Sequence, residues 1–282
     1  ARLINSRKIL VRTNVVCQLT GYEPASQPIR TLQDAPQALE TKTAHYRCVL
    51  PREYGEKTFS MTEDLELTGA EAQMEKIVQY WLTPEVTERK LTGNKAVFKG
   101  VLTCKVLFLR ADGAPETYVR QIPFSQYCEL GESYEDDELE VQVCVTGSEA
   151  ELSKIEGETP QILLSASLLC QCVSMQAHEL TITEDAYATR GSFEPEWCEL
   201  QLLCLLDRQS ISSTLRGSVP KEARAVLDST LYLDVPSQQK QDGSVLLSAP
   251  ATVNILYMDP DGALQSAIVR DQVSCTVPLG SG

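Results

Sequence analysis

The feature that most limits how this chain can fold is the alternation of apolar and polar side chains along it. In the segment 97–109, Phe98 and Leu102 fall on one side of an extended strand, whereas Lys99 falls on the other. A period of two residues is typical of a strand with one buried face. The same test predicts strands over three further segments, 9–19, 140–145 and 161–172. The pattern therefore predicts a mainly β protein.

Helical periodicity is weak throughout. The best candidate for a helix is the segment 70–82, where Met74, Ile77 and Trp81 are three and four residues apart. The same segment alternates equally well, and Pro84 follows closely, which disfavours a helical continuation. We therefore expect a short turn there that runs into a strand.

Internal repetition organises the predicted strands. An offset of 149 residues places 105–114 on 254–263, so that the sequence Asp-Gly-Ala at 112–114 coincides with Asp-Gly-Ala at 261–263. Offsets of 121 and 153 residues give two weaker matches, 62–64 on 183–185 and 9–19 on 162–172. Because the three matches keep the same order in both halves, they indicate a duplicated β unit.

The repeat predicts tandem antiparallel β-sandwich-like domains. We expect a β segment at 1–57 that ends a preceding unit, a first domain at 58–176, and a second, incomplete domain at 177–282. The incomplete second copy leads us to expect a piece of a longer protein. Segments 23–36 and 147–160, rich in Pro, Gly, Ser and charge, are predicted as linkers or long loops.

Composition excludes two classes of partner. The 282 residues carry 25 Lys and Arg against 39 Asp and Glu, which gives a net charge of -14. Such a charge opposes binding to nucleic-acid phosphates, so we expect no nucleic-acid partner. No apolar run approaches the ~18 residues that span a bilayer, and we predict a soluble chain without a membrane span.

The sequence contains no recognisable catalytic constellation. His45 and His178 are its only histidines, so any histidine-dependent triad or zinc site must use one of them. Glycine-rich phosphate loops, GxSxG elbows and HExxH helices are all absent. We therefore predict a non-enzymatic protein with no catalytic, cofactor-binding or metal-binding residues. An enzyme that uses carboxylates remains an alternative, although nothing singles out two of the acidic residues.

The cysteines are numerous, and their placement favours buried thiols. Cys170 and Cys172 share the apolar face of one predicted strand, and with His178 they could also form half of a metal site. No second pair of ligands at zinc spacing is present, so we favour buried thiols. Reduced cysteines of a cytoplasm suit this placement better than a disulfide framework. The same interpretation applies to Cys17, Cys104, Cys144, Cys198 and Cys204.

Two acidic motifs have a structural and a functional interpretation. The sequence Asp-Pro-Asp-Gly at 259–262 resembles the start of a calcium loop, but position twelve is Arg270 instead of glutamate. A hairpin turn, in which Asp-Gly supplies positive φ angles, is the favoured interpretation. The acidic stretch 132–140 could bind cations or a basic partner, and we interpret it as a solvated loop.

The order of several motifs suggests a family. These motifs are Asn-Lys at 94–95, Lys-Gly at 99–100, Asp-Gly at 112–113 and Ile-Pro-Phe-Ser-Gln at 122–126. With them, the segment 58–145 resembles the SPOCS domain found in SipL and related proteins of endospore-forming Firmicutes, and the second copy resembles it loosely. The opening sequence ARLINSRKILVR is also similar to a strand opening of that family.

The resemblance implies a structural role in the spore coat. Proteins of the SipL type are non-enzymatic morphogenetic adaptors in the mother-cell cytoplasm at the forespore surface. They contact the coat-basement ATPase SpoIVA through a LysM module, and no LysM-like segment is present in this sequence. We therefore expect a scaffold or adaptor with spore-coat proteins, SpoIVA among them, as candidate partners. Exposed sheet edges could also support self-association.

A carbohydrate-binding role is the alternative function. β-Sandwich modules often bind glycans such as peptidoglycan through aromatic side chains. Aromatic residues make up only 6% of this chain, and Trp81 and Trp197 lie in segments that could belong to the core. The sequence therefore favours the adaptor over the glycan-binding module.

Overall fold

A computed structural model describes residues 2–5, 8–14, 39–134, 137–191, 197, 199 and 212–279. These residues form twelve strands and one 3-10 helix, Glu71–Gln73, so the prediction of a mainly β protein is confirmed. No helix among them is long and apolar enough to cross a membrane. The strands are β1 Arg2–Asn5, β2 Lys8–Leu10, β3 Leu39–Glu66, β4 Met74–Thr92, β5 Lys95–Arg110, β6 Pro115–Glu129, β7 Glu138–Ser153, β8 Gln161–Ala188, β9 Ala225–Leu233, β10 Ser237–Gln241, β11 Ser244–Met258 and β12 Leu264–Pro278.

The chain divides into two compact units. The first comprises Ala1–His45 and Thr181–Glu196, and the second comprises Tyr46–Leu180 and Trp197–Gly282. In the first unit, β1 and β2 pair as an antiparallel hairpin. Polar side chains also connect its two segments, since Lys42 Nζ lies 2.8 Å from a carboxylate oxygen of Glu184.

In the second unit, two three-stranded sheets share one apolar core. Their strand orders are β3–β8–β7 and β4–β5–β6. On one side β4 and β7 approach each other, where the Tyr80 hydroxyl donates to the Ser148 carbonyl oxygen at 2.9 Å. Alternation directs every second side chain into the space between the sheets, which gives a sandwich-like arrangement. The core side chains come mainly from β5 (Phe98, Leu102, Cys104, Val106, Phe108) and β8 (Ile162, Leu164, Ala166, Leu168, Cys170).

A third sheet repeats the pairing of β4–β5–β6. It contains β10–β11–β12, with β9 also paired to β11. Lys95 lies opposite Glu129 in the sheet β4–β5–β6, and Ser244 lies opposite Pro278 in the third. The residues of the second pair follow those of the first by 149 positions, which is the offset of the repeat. β9 and β10 both pair with β11, and together they take the place that the single strand β4 has beside β5. The two sheets therefore have the same strand order and register, while the boundaries predicted for the domains 1–57, 58–176 and 177–282 remain predictions.

The two Asp-Gly hairpin turns have the same geometry. The backbone N–H of Gly113 donates to the Arg110 carbonyl at 2.9 Å, and that of Gly262 donates to the Asp259 carbonyl at 3.0 Å. Both glycines have positive φ, 81° and 80°, and no residue other than glycine has a positive φ among those described. The prediction of hairpin turns in which Asp-Gly supplies positive φ is confirmed, and in both turns the glycine is the residue with positive φ. Only glycine, which lacks Cβ, adopts the left-handed region here.

Several predicted boundaries need correction. The segment 147–160 was predicted as a linker, but 147–153 continues strand β7, because small and polar residues there pair with 161–167 of β8. In the strand predicted over 9–19, β2 ends at Leu10 and residues 11–14 are irregular and exposed, while residues 15–19 lie outside the described residues. The turn and strand predicted for 70–82 are confirmed by the 3-10 helix and β4. The prediction of a buried thiol is confirmed for Cys104 and is wrong for Cys144, which is exposed on β7. Cys17, Cys198, Cys204 and the linker 23–36 lie outside the described residues.

Candidate interaction surfaces

The residues that could have supported catalysis or metal binding are not brought together. His45 is exposed, and its Nδ1 lies 3.1 Å from the Thr181 hydroxyl. Cys170 and Cys172 are buried, and burial raises the pKa of both thiols to about 12. His178 is half-buried farther along the same strand. Among the described residues, no group of three or more His, Cys, Asp and Glu side chains is placed to hold a metal ion.

The acidic stretch after β6 is held against the sandwich. The Asp137 side chain is only 4% exposed, lies 3.6 Å from the Arg52 guanidinium, and accepts a hydrogen bond from the Ser174 hydroxyl at 2.5 Å. Tyr134 is buried nearby, and its hydrogen bond to Glu53 raises the pKa of the phenol to about 12. The arginine also lies over the Tyr134 ring, 4.7 Å from its centroid. This end of the acidic stretch is therefore engaged within the protein, and it is less solvated than we predicted.

The two tryptophans differ in exposure. Trp81 is half-buried in β4, and the Lys105 ammonium lies 5.9 Å from its ring centroid. Trp197 is 56% exposed. A glycan site requires an accessible aromatic face, so Trp197 is the better candidate of the two for such a role.

The motifs that suggested the family lie at structural positions. Gly100 in β5 pairs with Phe124 in β6, and a Cβ atom on the glycine would lie 2.4 Å from the phenylalanine ring. The Phe124 ring packs against Phe59 and Phe98 with centroid separations of 5.8 and 6.4 Å. Asn94 donates its side-chain amide to the Leu130 carbonyl at 3.3 Å. Gly100, Phe124 and Asn94 therefore have structural roles in packing and in backbone hydrogen bonding.

The edge strand β6 carries a proline that limits strand pairing. β6 pairs with β5 on one side only in the described sheet, and Pro123 lies opposite Val101. Proline has no N–H, so it occupies a position whose backbone nitrogen faces away from the neighbouring strand. This residue therefore removes one donor from the free edge, which is a common protection against unwanted pairing.

The equivalent edge strand β12 has a backbone N–H at that position, and this N–H is engaged by a neighbouring side chain. At the offset of 149 residues, Gln272 takes the position of Pro123 and lies opposite Pro250. Its backbone N–H donates to the adjacent Asp271 carboxylate at 2.8 Å. No proline occurs between Leu264 and Val277, and Ile268 on this strand is 58% exposed. β12 is therefore the more suitable edge for pairing with another strand.

Two grooves adjoin the edge strand β6. One has a volume of about 490 Å³ and is lined by the end of β3, including Glu63, Asp64 and Glu66, and by Arg120 of β6. The other has a volume of about 760 Å³ and lies between the β5–β6 turn and β9. Beside it the two copies meet, where the Thr117 hydroxyl donates to the Leu227 carbonyl at 2.7 Å. Both grooves have mixed charge, and neither contains a set of residues with evident catalytic chemistry.

Sequence comparison assigns a family to the better described copy. Residues 73–153 match the family model described as SipL, SPOCS domain. Comparisons with curated proteins and with solved structures gave no match. The matched segment contains β4, β5, β6 and β7, which include the β5 side of the core and the edge strand β6. The resemblance predicted from the sequence is thus confirmed, because residues 73–153 of this chain are similar to the SipL SPOCS domain.

Proposed function

We propose that this chain is a non-enzymatic structural adaptor in spore-coat assembly, which acts through protein–protein contacts made by its sheet edges. The match of residues 73–153 to the SipL SPOCS domain indicates a sporulation-related role. The observation that carries the proposal is the outer edge of β12, a strand of 15 residues that pairs with β11 alone among the described strands, in a sheet that has the same register as the SPOCS sheet.

An edge strand recognises a partner through its backbone. In an antiparallel pair, alternate residues direct both N–H and C=O away from the neighbouring strand. Alternate residues of β12 therefore offer backbone hydrogen bonds to an incoming strand, either from another coat protein or from a second copy. At Gln272 an incoming strand would have to displace the Asp271 carboxylate from the backbone N–H. Exposed Leu264 and Ile268 add apolar contact along the same strand.

The proposed partners and location follow from the family. We propose spore-coat proteins, with SpoIVA as the first candidate, and a location in the mother-cell cytoplasm at the forespore surface. Strand pairing at the edge of β12 would then attach this chain to the spore coat, a layer that is assembled by many such contacts between proteins. An adaptor of this type requires stable folded surfaces and no catalytic residues.

The replacement Gln272→Pro is expected to abolish edge pairing without unfolding the sheet. Pro123 shows that the equivalent position of β6 accommodates proline. The substitution removes the outward N–H that now binds the Asp271 carboxylate, and it introduces a ring that obstructs an incoming strand. We expect self-association at high protein concentration, measured by sedimentation velocity, and capture of purified SpoIVA to fall at least tenfold, while the far-UV circular dichroism remains unchanged.

The matched control is Pro123→Gln, which restores a donor on β6. This variant should retain or increase association, because its change is the reverse of that in β12. A folded Gln272→Pro variant that associates and captures SpoIVA as strongly as the unmodified chain would contradict the proposal. A strictly monomeric unmodified chain that captures no coat protein would also contradict it.

A glycan-binding module is the second candidate, which the exposure of Trp197 favours. The expected result for that function is sedimentation of the chain with purified peptidoglycan, and loss of this binding in Trp197→Ala. Trp81→Ala serves as the control, since the Trp81 side chain is half-buried under Lys105. Binding that persists in Trp197→Ala would exclude this site.

A further inference from the structure

Two buried cysteines from the two facing sheets meet beside one glycine. Cys128 belongs to β6 and Cys172 belongs to β8, so the two residues come from different sheets of the sandwich. Both Sγ atoms lie 2.9 Å from the position that a Cβ atom on Gly55 would occupy. The absence of a side chain at Gly55 therefore provides the space in which the two sulfur atoms approach each other.

The environment of the pair is apolar and closed. Cys128 and Cys172 are 2% and 3% exposed, within a small cluster separate from the main core. The Cys172 thiol donates to the Gly55 carbonyl at 3.5 Å, and the Cys128 thiol donates to the Glu129 carbonyl at 3.8 Å. The other buried members of the cluster are Leu91, Ala96, Leu130, Tyr134 and Leu139.

We propose that Cys128 and Cys172 form an oxidative modification site, at which hydrogen peroxide converts the two thiols into a disulfide bond that joins the two sheets of the sandwich. Peroxide is small enough to enter a buried cluster during local opening, unlike a bulky disulfide reagent. The inference does not depend on the adaptor function, because it concerns only the folded sandwich.

The reaction proceeds in two balanced steps. One thiolate attacks a peroxide oxygen, the O–O bond breaks, and the products are a sulfenic acid and hydroxide. The second sulfur then attacks the sulfenic sulfur, and a disulfide forms as water leaves. Overall two thiols lose two electrons and two protons, and one peroxide is reduced to two waters.

Burial sets the rate of this reaction and its pH dependence. Desolvation raises the pKa of the Cys172 thiol to about 12, so little thiolate is present at neutral pH. The thiolate fraction of such a thiol increases about 100-fold between pH 7 and pH 9. We expect the disulfide to form slowly at pH 7 and markedly faster at pH 9.

The disulfide should stabilise the sandwich against heat. It would close a loop of about 45 residues, which constrains the unfolded chain strongly. We expect the midpoint of thermal unfolding to rise by about 10 °C after oxidation. Reduction with a dithiol should reverse this rise.

The test is oxidation of the folded chain with hydrogen peroxide, followed by alkylation and non-reducing peptide mapping. Digestion after glutamate separates Cys128 from Cys144, because Glu129 directly follows Cys128. The expected product is a peptide that joins Cys128 to Cys172 with a mass loss of about 2 Da. This peptide should be absent from Cys128→Ala and Cys172→Ala. It should persist in Cys104→Ala, the control for another buried thiol.

The variant Cys170→Ala tests whether Cys170, which lies on the same face of β8 as Cys172, forms the disulfide with Cys128 instead. The linked peptide and the rise in unfolding temperature should both persist in this variant. A link from Cys128 to Cys170 or Cys144 would overturn the proposal. Overoxidation to sulfinic acid without a link, or a link that forms only in denaturant, would overturn it as well.

Discussion

Replacement of Gly100 with alanine is expected to lower the free energy of unfolding by about 3 kcal/mol, because the new Cβ atom has no space. That atom would lie 2.3 Å from the backbone carbonyl oxygen of Glu85 and 2.4 Å from the Phe124 ring. The carbonyl belongs to the paired strand β4 and cannot move without disturbing the sheet. Urea unfolding followed by circular dichroism measures the loss.

The second copy provides the compensating residue. At the offset of 149 residues, Ala249 takes the place of Gly100, and Val273 takes the place of Phe124 opposite it. The smaller valine leaves room where the phenylalanine ring does not. We therefore expect Phe124→Val to relieve the ring contact in Gly100→Ala. The loss of unfolding free energy in the double variant should be smaller than the sum of the two single losses by about 1 kcal/mol.

The matched control is Gly147→Ala in β7. No atom lies within 4 Å of the position of its new Cβ, and the backbone of Gly147 does not require positive φ. The change should alter stability by less than about 0.5 kcal/mol. Equal losses in Gly100→Ala and Gly147→Ala would show that the close approach of Phe124 is not the reason for glycine at position 100.

Local pattern explains the part of the fold that could be predicted. The alternation around Phe98 is strong because each strand has one face in a core and one face in solvent. The Asp-Gly turns are equally local, since Gly113 and Gly262 alone provide the positive φ of each hairpin. The segment 147–153 was missed because its small polar residues are typical of a loop, whereas pairing with β8 makes them a strand.

Contacts between distant residues explain what could not be predicted. The pattern indicated that Cys172 is buried, but the approach of Cys128 depends on how two sheets face each other. Likewise Asp137 appeared free of basic neighbours in the sequence, and the fold brings Arg52 to it. Edge strands were expected in general. The repeat aligns Pro123 with Gln272, which indicates that only one of the two edges carries a proline. The structure shows that both residues lie on edge strands, and this gives the difference its meaning.

Replacement of Phe98 with alanine is expected to produce the other large loss, about 4 kcal/mol. The Phe98 side chain is 1% exposed and packs against Phe59 from the facing sheet and Phe124 from its own sheet, with centroid separations of 6.2 and 6.4 Å. Truncation removes these ring contacts and leaves a cavity between the sheets. Urea unfolding of the variant, with the slope of the transition held equal, measures the change.

The equivalent residue of the second copy should behave differently. Leu247 occupies the position of Phe98 at the offset of 149 residues, but it is only half-buried, and Leu231 and Leu233 on the same face of that sheet are 51% and 56% exposed. A half-buried leucine loses less apolar contact on truncation, so Leu247→Ala should cost about 1 kcal/mol. A loss comparable to that of Phe98→Ala would mean that the apolar face of β11 is covered in the folded protein as fully as that of β5. The difference between the two variants therefore measures how far the duplicated sheet, which has the same strand register, also has a core of its own.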